Sequence, residues 1–164
     1  MRRRRFLKRA TATAVAATAI TESGKAPASA AQRSGAKTPK RKILTERAPK
    51  PIGPYSQAVV AGNTIYVAGQ VPADPATRKV VEGDFERQAV QVFDNIKAIL
   101  AGAGASFEDV VKVNVYLADL GNFAKMNEVY RRYFPEDGIY PVRTTVGAEL
   151  LPGYSIEIDC IAVK

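Results

Sequence analysis

The chain has 164 residues and a formal charge of +8, with no histidine, no tryptophan and one cysteine, Cys160. That length fits one domain with an attachment, and the inventory removes serine–histidine nucleophile systems, histidine-containing zinc sites and internal disulfides. Charge is split: residues 1–42 hold 12 Lys/Arg against Glu22 alone, which leaves 12 basic and 15 acidic residues for 43–164, so the front is +11 and the body −3.

Positions 2–8 read Arg-Arg-Arg-Arg-Phe-Leu-Lys, which resembles a twin-arginine export signal with Arg3 and Arg4 as the pair. Ala10–Ile20 is a weakly apolar run, short of the roughly 20 residues that span a membrane, and Ala28-Ser29-Ala30 offers a small-x-small cleavage site. Residues 1–30 are therefore expected to be a signal peptide, 31–42 a polar linker that buries nothing, and 43–164 the folded domain. The expected product is exported, periplasmic or secreted from a bacterium, with no stable membrane anchor. A basic arm for nucleic acid or an anionic membrane is the alternative for the same segment.

Within the body, Ala58–Ala68 reads as a hairpin turning at Gly62-Asn63. Phe85, Ala89, Val92, Ile96 and Ile99 then fall on one helical stripe opened by Asp84 and stopped at Gly102. Gly102-Ala103-Gly104 superficially matches the start of a dinucleotide-binding loop. It follows a helix where that motif must open one, so it reads as a helix end. Ser106–Asp109 is a capping-box turn, and Val111, Val113, Val115 and Leu117 alternate as a strand. A second helix follows Asn122 with Phe123, Met126, Tyr130 and Tyr133 on one face. Pro141 stops it, and Val142–Ala148 and Ser155–Val163 read as a strand pair joined around Leu151-Pro152-Gly153. The order β-β-β-α-β-α-β-β predicts an α+β layer, two helices on one face of a mostly antiparallel sheet. The other face, with Tyr66 and Tyr116, is left for self-association to cover.

Chemistry must then come from Arg, Asp/Glu, Tyr, Ser/Thr, Asn, backbone and water, with no cofactor or metal expected. Arg143 stands on an otherwise apolar strand, where a guanidinium needs a partner. A planar fork suits a carboxylate, either a substrate's or that of Glu149, Glu157 or Asp159. In a hairpin turning near Leu150-Leu151, Glu157 would lie opposite Arg143, which would keep it ionised to hold or deprotonate a water. Pro51–Gln57 (PIGPYSQ) is a stiff segment suited to lining a pocket with Tyr55, or to entering a strand.

PIGPYSQ at 51–57, IYVAGQVP at 65–72, DNIKAI at 94–99, VNVYLAD at 113–119, FAKMNEVY at 123–130 and PVRTTVGAELLPGYSIEIDCIAVK at 141–164 resemble, in order, the blocks of the Rid (YjgF-type) enamine/imine deaminase family. The resemblance implies a chorismate-mutase-like fold and a homotrimer. It also implies intersubunit clefts where 2-iminopropanoate-like enamines and imines are hydrolysed to 2-keto acids and ammonia. By motif position, Arg143 matches the arginine that grips the substrate carboxylate and Glu157 the glutamate associated with the attacking water. Tyr55, Gly69 and Asn127 match pocket positions, and Thr145 stands where many members carry cysteine. Ala68 replaces a frequent serine, and the turn Leu151–Ser155 is one residue shorter than usual.

The polar losses at 68 and 145 leave a second reading, a non-catalytic trimer that binds small carboxylates or shields unfolded proteins. A third, ribonuclease, fits poorly with a −3 body lacking the basic footprint of phosphate binding, and no nucleic-acid partner is expected.

Overall fold

The apolar stripe from Phe85 to Ile99 forms helix α1, Phe85–Ala103, in the computed structural model, which describes residues 38–134 and 136–164. Asp84 caps it by accepting from Arg87 N at 3.0 Å, satisfying one of the first-turn N–H groups that have no intrahelical acceptor. The helix passes Gly102 and ends at Gly104, whose φ of +80° is the left-handed conformation glycine adopts without a Cβ penalty. The glycine pair is thus a helix end, two residues later than the sequence suggested.

The strands are β1 (Lys40–Ile43), β2 (Ala58–Ala61), β3 (Thr64–Gln70), β4 (Val110–Leu117), β5 (Val142–Gly147) and β6 (Ile156–Val163), with helix α2 (Phe123–Tyr133) between β4 and β5. They form one six-stranded sheet in the order β1-β2-β3-β6-β4-β5. Every pairing is antiparallel except β4 with β5. Alternate residues Ile65 and Val67, Val113 to Leu117, and Ile156 to Ala162 bury against Val92, Phe93, Ile96, Ile99, Met126 and Val129 of the helices. This is the expected α+β layer, with both helices on one face.

Strand β1 lies partly inside the segment expected to be linker. Lys40–Lys42 stay exposed while their backbones pair with Val59–Ala61, so the strand is set by main-chain bonding and by burial of Ile43 at its end. Residues 1–37, which include the expected signal peptide, lie outside the described residues. Strand β4 also departs from simple alternation. A register shift between Val110 and Lys112 turns Val110 into the core and leaves Val111 exposed.

The expected β5–β6 hairpin does not form. Strand β5 runs parallel to β4 at the sheet edge, with Val113 opposite Arg143 and Val115 opposite Thr145. Strand β6 inserts between β3 and β4, with Glu157 opposite Tyr116. The physical reason is the helix between β4 and β5, a crossover that returns the chain in the same direction as parallel pairing requires. Among the described residues no helix is long and apolar enough to cross a membrane.

Candidate active site

Because side chains alternate along a strand, the registers decide which sheet face each candidate occupies. Arg143 shares the face of Val113 and Cys160, the side covered by helices, and Thr145 follows it two residues on. Glu157 shares the face of Tyr116, the side that no helix covers among the described residues. The two residues are therefore on opposite faces of the sheet rather than cross-strand neighbours.

Arg143 projects from the edge strand toward α2. Its guanidinium carbon lies 4.6 Å from the centre of the Tyr130 ring and 5.8 Å from that of Phe123, and Nη1 donates to Met126 Sδ at 3.8 Å. No ion pair reaches it among the described residues. Neither Glu149, Glu157 nor Asp159 neutralises it, so its fork and charge remain available. Asn127, Tyr130, Glu136, Tyr140, Pro141 and Arg143 line a cavity of about 420 Å³ beside it, in which the Glu136 carboxylate pairs with Arg131 at 3.6 Å. Thr145 Oγ1 and the Tyr130 hydroxyl are buried without a hydrogen-bond partner among the described residues. Burial pushes the Tyr130 phenol up to about 12 although Arg143 pulls it the other way, and it stays neutral.

Glu157 sits in a second cavity, of about 350 Å³, with Tyr55, Ala68, Gly69, Leu151 and Tyr154. Gly69 lies at a register shift between Val67 and Gln70 and lets the carboxylate approach. A Cβ on Gly69 would fall 2.0 Å from Glu157 Oε1. Burial first, then the charge of Asp159, raises the Glu157 carboxyl above its ordinary value. This reverses the expectation that a cationic neighbour would hold it ionised. Tyr55 is exposed, its hydroxyl accepting from Ile52 N at 3.3 Å.

Three buried amides that pattern reading did not single out fix the walls of this second cavity. Gln57 donates to the carbonyls of Thr45, Ala48 and Pro49 and accepts from Thr45 N. Asn95 donates to the Val71 and Ala73 carbonyls at 3.1 and 3.0 Å. Gln88 donates to Gly153 O and accepts from Ser155 N, tying down the 151–155 turn. Asn95 and Gln88 occupy stripe positions between Phe85, Val92 and Ile99, and an amide inside an apolar stripe was the available signal. On the uncovered face, Asp159 accepts from Asn114 Nδ2 at 2.9 Å and from the Tyr116 hydroxyl at 3.1 Å, beside exposed Tyr66.

One chain thus carries two separate groups: Arg143, without an ion-pair partner among the described residues, beside Asn127, and the half-buried Glu157 carboxyl with Tyr55 and Gly69. Residues 45–164 match the family profile described as endoribonuclease L-PSP. The chain is similar to a RutC family protein of Pyrococcus abyssi, 57% identical over 76% of this chain and 98% of that protein. It is similar to a 2-iminobutanoate/2-iminopropanoate deaminase of Dermatophagoides farinae, 43% identical over 77% of this chain and 98% of that protein. Its fold is similar to the crystal structure of RidA from the Antarctic bacterium Psychrobacter sp. PAMC 21119, with a TM-score of 0.72 and 47% identity over 76% of this chain and 99% of that one. The chain belongs to the endoribonuclease L-PSP family, the family of the RutC and Rid proteins.

Proposed function

We propose that the protein hydrolyses small enamine and imine carboxylates, 2-iminopropanoate among them, to 2-keto acids and ammonia. The observation that carries this reading is Arg143, a half-buried guanidinium that meets aromatic faces and a thioether but no carboxylate among the described residues. A substrate carboxylate is the partner it lacks. The name of the Dermatophagoides farinae relative gives the same chemistry.

Arg143 and Glu157 occupy opposite faces, so the complete site is assembled between copies. The Arg143, Asn127 and Thr145 half of one protomer meets the Tyr55, Gly69 and Glu157 half of another, in a homotrimer that covers the Tyr66–Tyr116 face. Arg143 fixes the carboxylate. A carboxyl raised above its ordinary value by burial and by Asp159 is a stronger base, able to take a proton from water and return it, so Glu157 serves as the proton shuttle. Water adds through oxygen to the imine carbon, the nitrogen gains protons and leaves as ammonia, and the carbonyl remains. One imine and one water give one keto acid and one ammonia. No step calls on a metal or a cofactor.

Ammonia release from freshly generated 2-iminopropanoate tests the reaction, with RNA cleavage under matched conditions as the competing activity. Turnover of the imine supports the proposal; carboxylate binding without ammonia release would leave a binder, and RNA cleavage alone a nuclease. Co-assembly of Arg143→Ala with Glu157→Gln tests the shared site, because activity should return only if the halves come from different copies. The Arg3-Arg4 leader supports export of the folded protein: changing both to Lys should retain it in the cytoplasm, and unaltered export would refute that.

A further inference from the structure

We propose that Tyr130 is a positioning residue whose ring holds the Arg143 guanidinium in the orientation that grips a carboxylate. The inference rests on the reading of Arg143 as the carboxylate anchor and adds what aims it. A two-pronged grip works only if the plane of the guanidinium is fixed before the ligand arrives. An acidic neighbour would fix that plane but would also fill the fork and cancel the charge. Here neutral groups do the fixing. The Arg143 guanidinium carbon stands 4.6 Å over the Tyr130 ring, Nη1 donates to Met126 Sδ at 3.8 Å, and Phe123 lies 5.8 Å away. A cation held against the face of an aromatic ring keeps its edge N–H groups free for a ligand.

The ring is itself held by packing. Tyr130 is 4% exposed, packs tilted on Phe134 with centroids 4.5 Å apart, and meets Phe93 edge-on at 5.9 Å. Its hydroxyl has no partner among the described residues and stays protonated, so it forms no ion pair with Arg143. The ring face, rather than the hydroxyl, supplies the contact. An aliphatic residue could fill the same volume without presenting a face to the guanidinium.

Steady-state kinetics of the full chain on 2-iminopropanoate, with pyruvate as a competing carboxylate, separates aiming from packing. Tyr130→Phe should keep KM and the pyruvate inhibition constant close to those of the wild type. Tyr130→Leu should raise both by about tenfold, equivalent to about 1.4 kcal/mol, with a smaller effect on kcat. Met126→Leu, a volume-conserving change, should raise both by about threefold while the melting temperature holds. A Tyr130→Leu protein with lowered melting temperature but wild-type KM would overturn the proposal. If Tyr130→Leu fails to fold, Tyr130→Met, which also lacks a ring face, decides: raised constants support the role and unchanged ones overturn it. Wild-type protein that binds pyruvate without turning over the imine refutes the deaminase reading, and the pyruvate constants of the variants then decide this one. Wild-type protein that does neither removes the carboxylate anchor and the positioning role together.

Discussion

Gly69→Ala reports on the Glu157 half-site from a position that carries no chemistry of its own. The added Cβ would lie 2.0 Å from Glu157 Oε1, 3.0 Å from Cδ and 3.3 Å from Cγ, so the carboxylate must withdraw by about 1 Å to reach even the closest tolerated contact. A displacement of about 1 Å in a reacting group can cost about 100-fold in rate. The obstacle is the far end of a flexible side chain, so relief by rotation costs about 0.5–1.5 kcal/mol, and the melting temperature should fall by only a few degrees. Imine hydrolysis and thermal unfolding are measured on Gly69→Ala, Glu157→Gln and the double variant. Activity should collapse in Gly69→Ala with the fold retained, and Gly69→Ala should cost nothing further once Glu157 is Gln. Wild-type kcat in Gly69→Ala would refute a catalytic role for the Glu157 carboxylate.

Glu157→Gln should stabilise the protein more at pH 8 than at pH 4. The folded carboxyl is raised by burial and by Asp159, so its penalty is absent below the unfolded value of about 4.3 and grows as pH rises through the folded one. Equal gains in melting temperature at both pH values would contradict this. Arg143→Ala should destabilise by about 1–2 kcal/mol, the scale of a lost cation–aromatic contact, rather than the roughly 3–5 kcal/mol of a broken buried ion pair; the denaturant midpoint distinguishes them. Asn95→Ala leaves the Val71 and Ala73 carbonyls without their donor at a position 0% exposed, and should cost about 2–4 kcal/mol in the same assay. Because Val71 lines the Glu157 cavity, its kcat should fall as well.

The helices, the capping turns and the element order after β1 were legible because each rests on local signals: the Asp84 cap, the Phe85–Ile99 stripe, the glycine at the helix end. Strand β1 was not, because Lys40–Lys42 stay exposed and only main-chain pairing makes them a strand. Pairing of β5 and β6 was not, because a short connection looks like a hairpin whether or not the strands become neighbours. The missed signal was α2 itself. A helix between two strands is a crossover, and a crossover makes β4 and β5 parallel. That one choice moved Arg143 from beside Glu157 to the opposite face, and with it reversed the expected charge environment of Glu157. The bulge at Val111 was likewise silent, since Val110 and Val111 are equally apolar and only the register decides which is buried. Arg143, Glu157 and Tyr55 were legible from residue type and strand placement, whereas their roles, and Gly69, Asn127 and Thr145, came by family resemblance. The structure places Asn127 and Arg143 at one cavity and Tyr55, Gly69 and Glu157 at another, a separation that no one-dimensional pattern carries.

Arg143→Lys separates charge from geometry at the carboxylate anchor, because it keeps the positive charge and removes the planar fork. Imine turnover by the full chain should fall by about 100-fold or more, with the pyruvate inhibition constant rising in parallel, while the melting temperature and assembly state persist. Undiminished kcat/KM on 2-iminopropanoate in Arg143→Lys would rule out a two-pronged grip on the substrate carboxylate by Arg143.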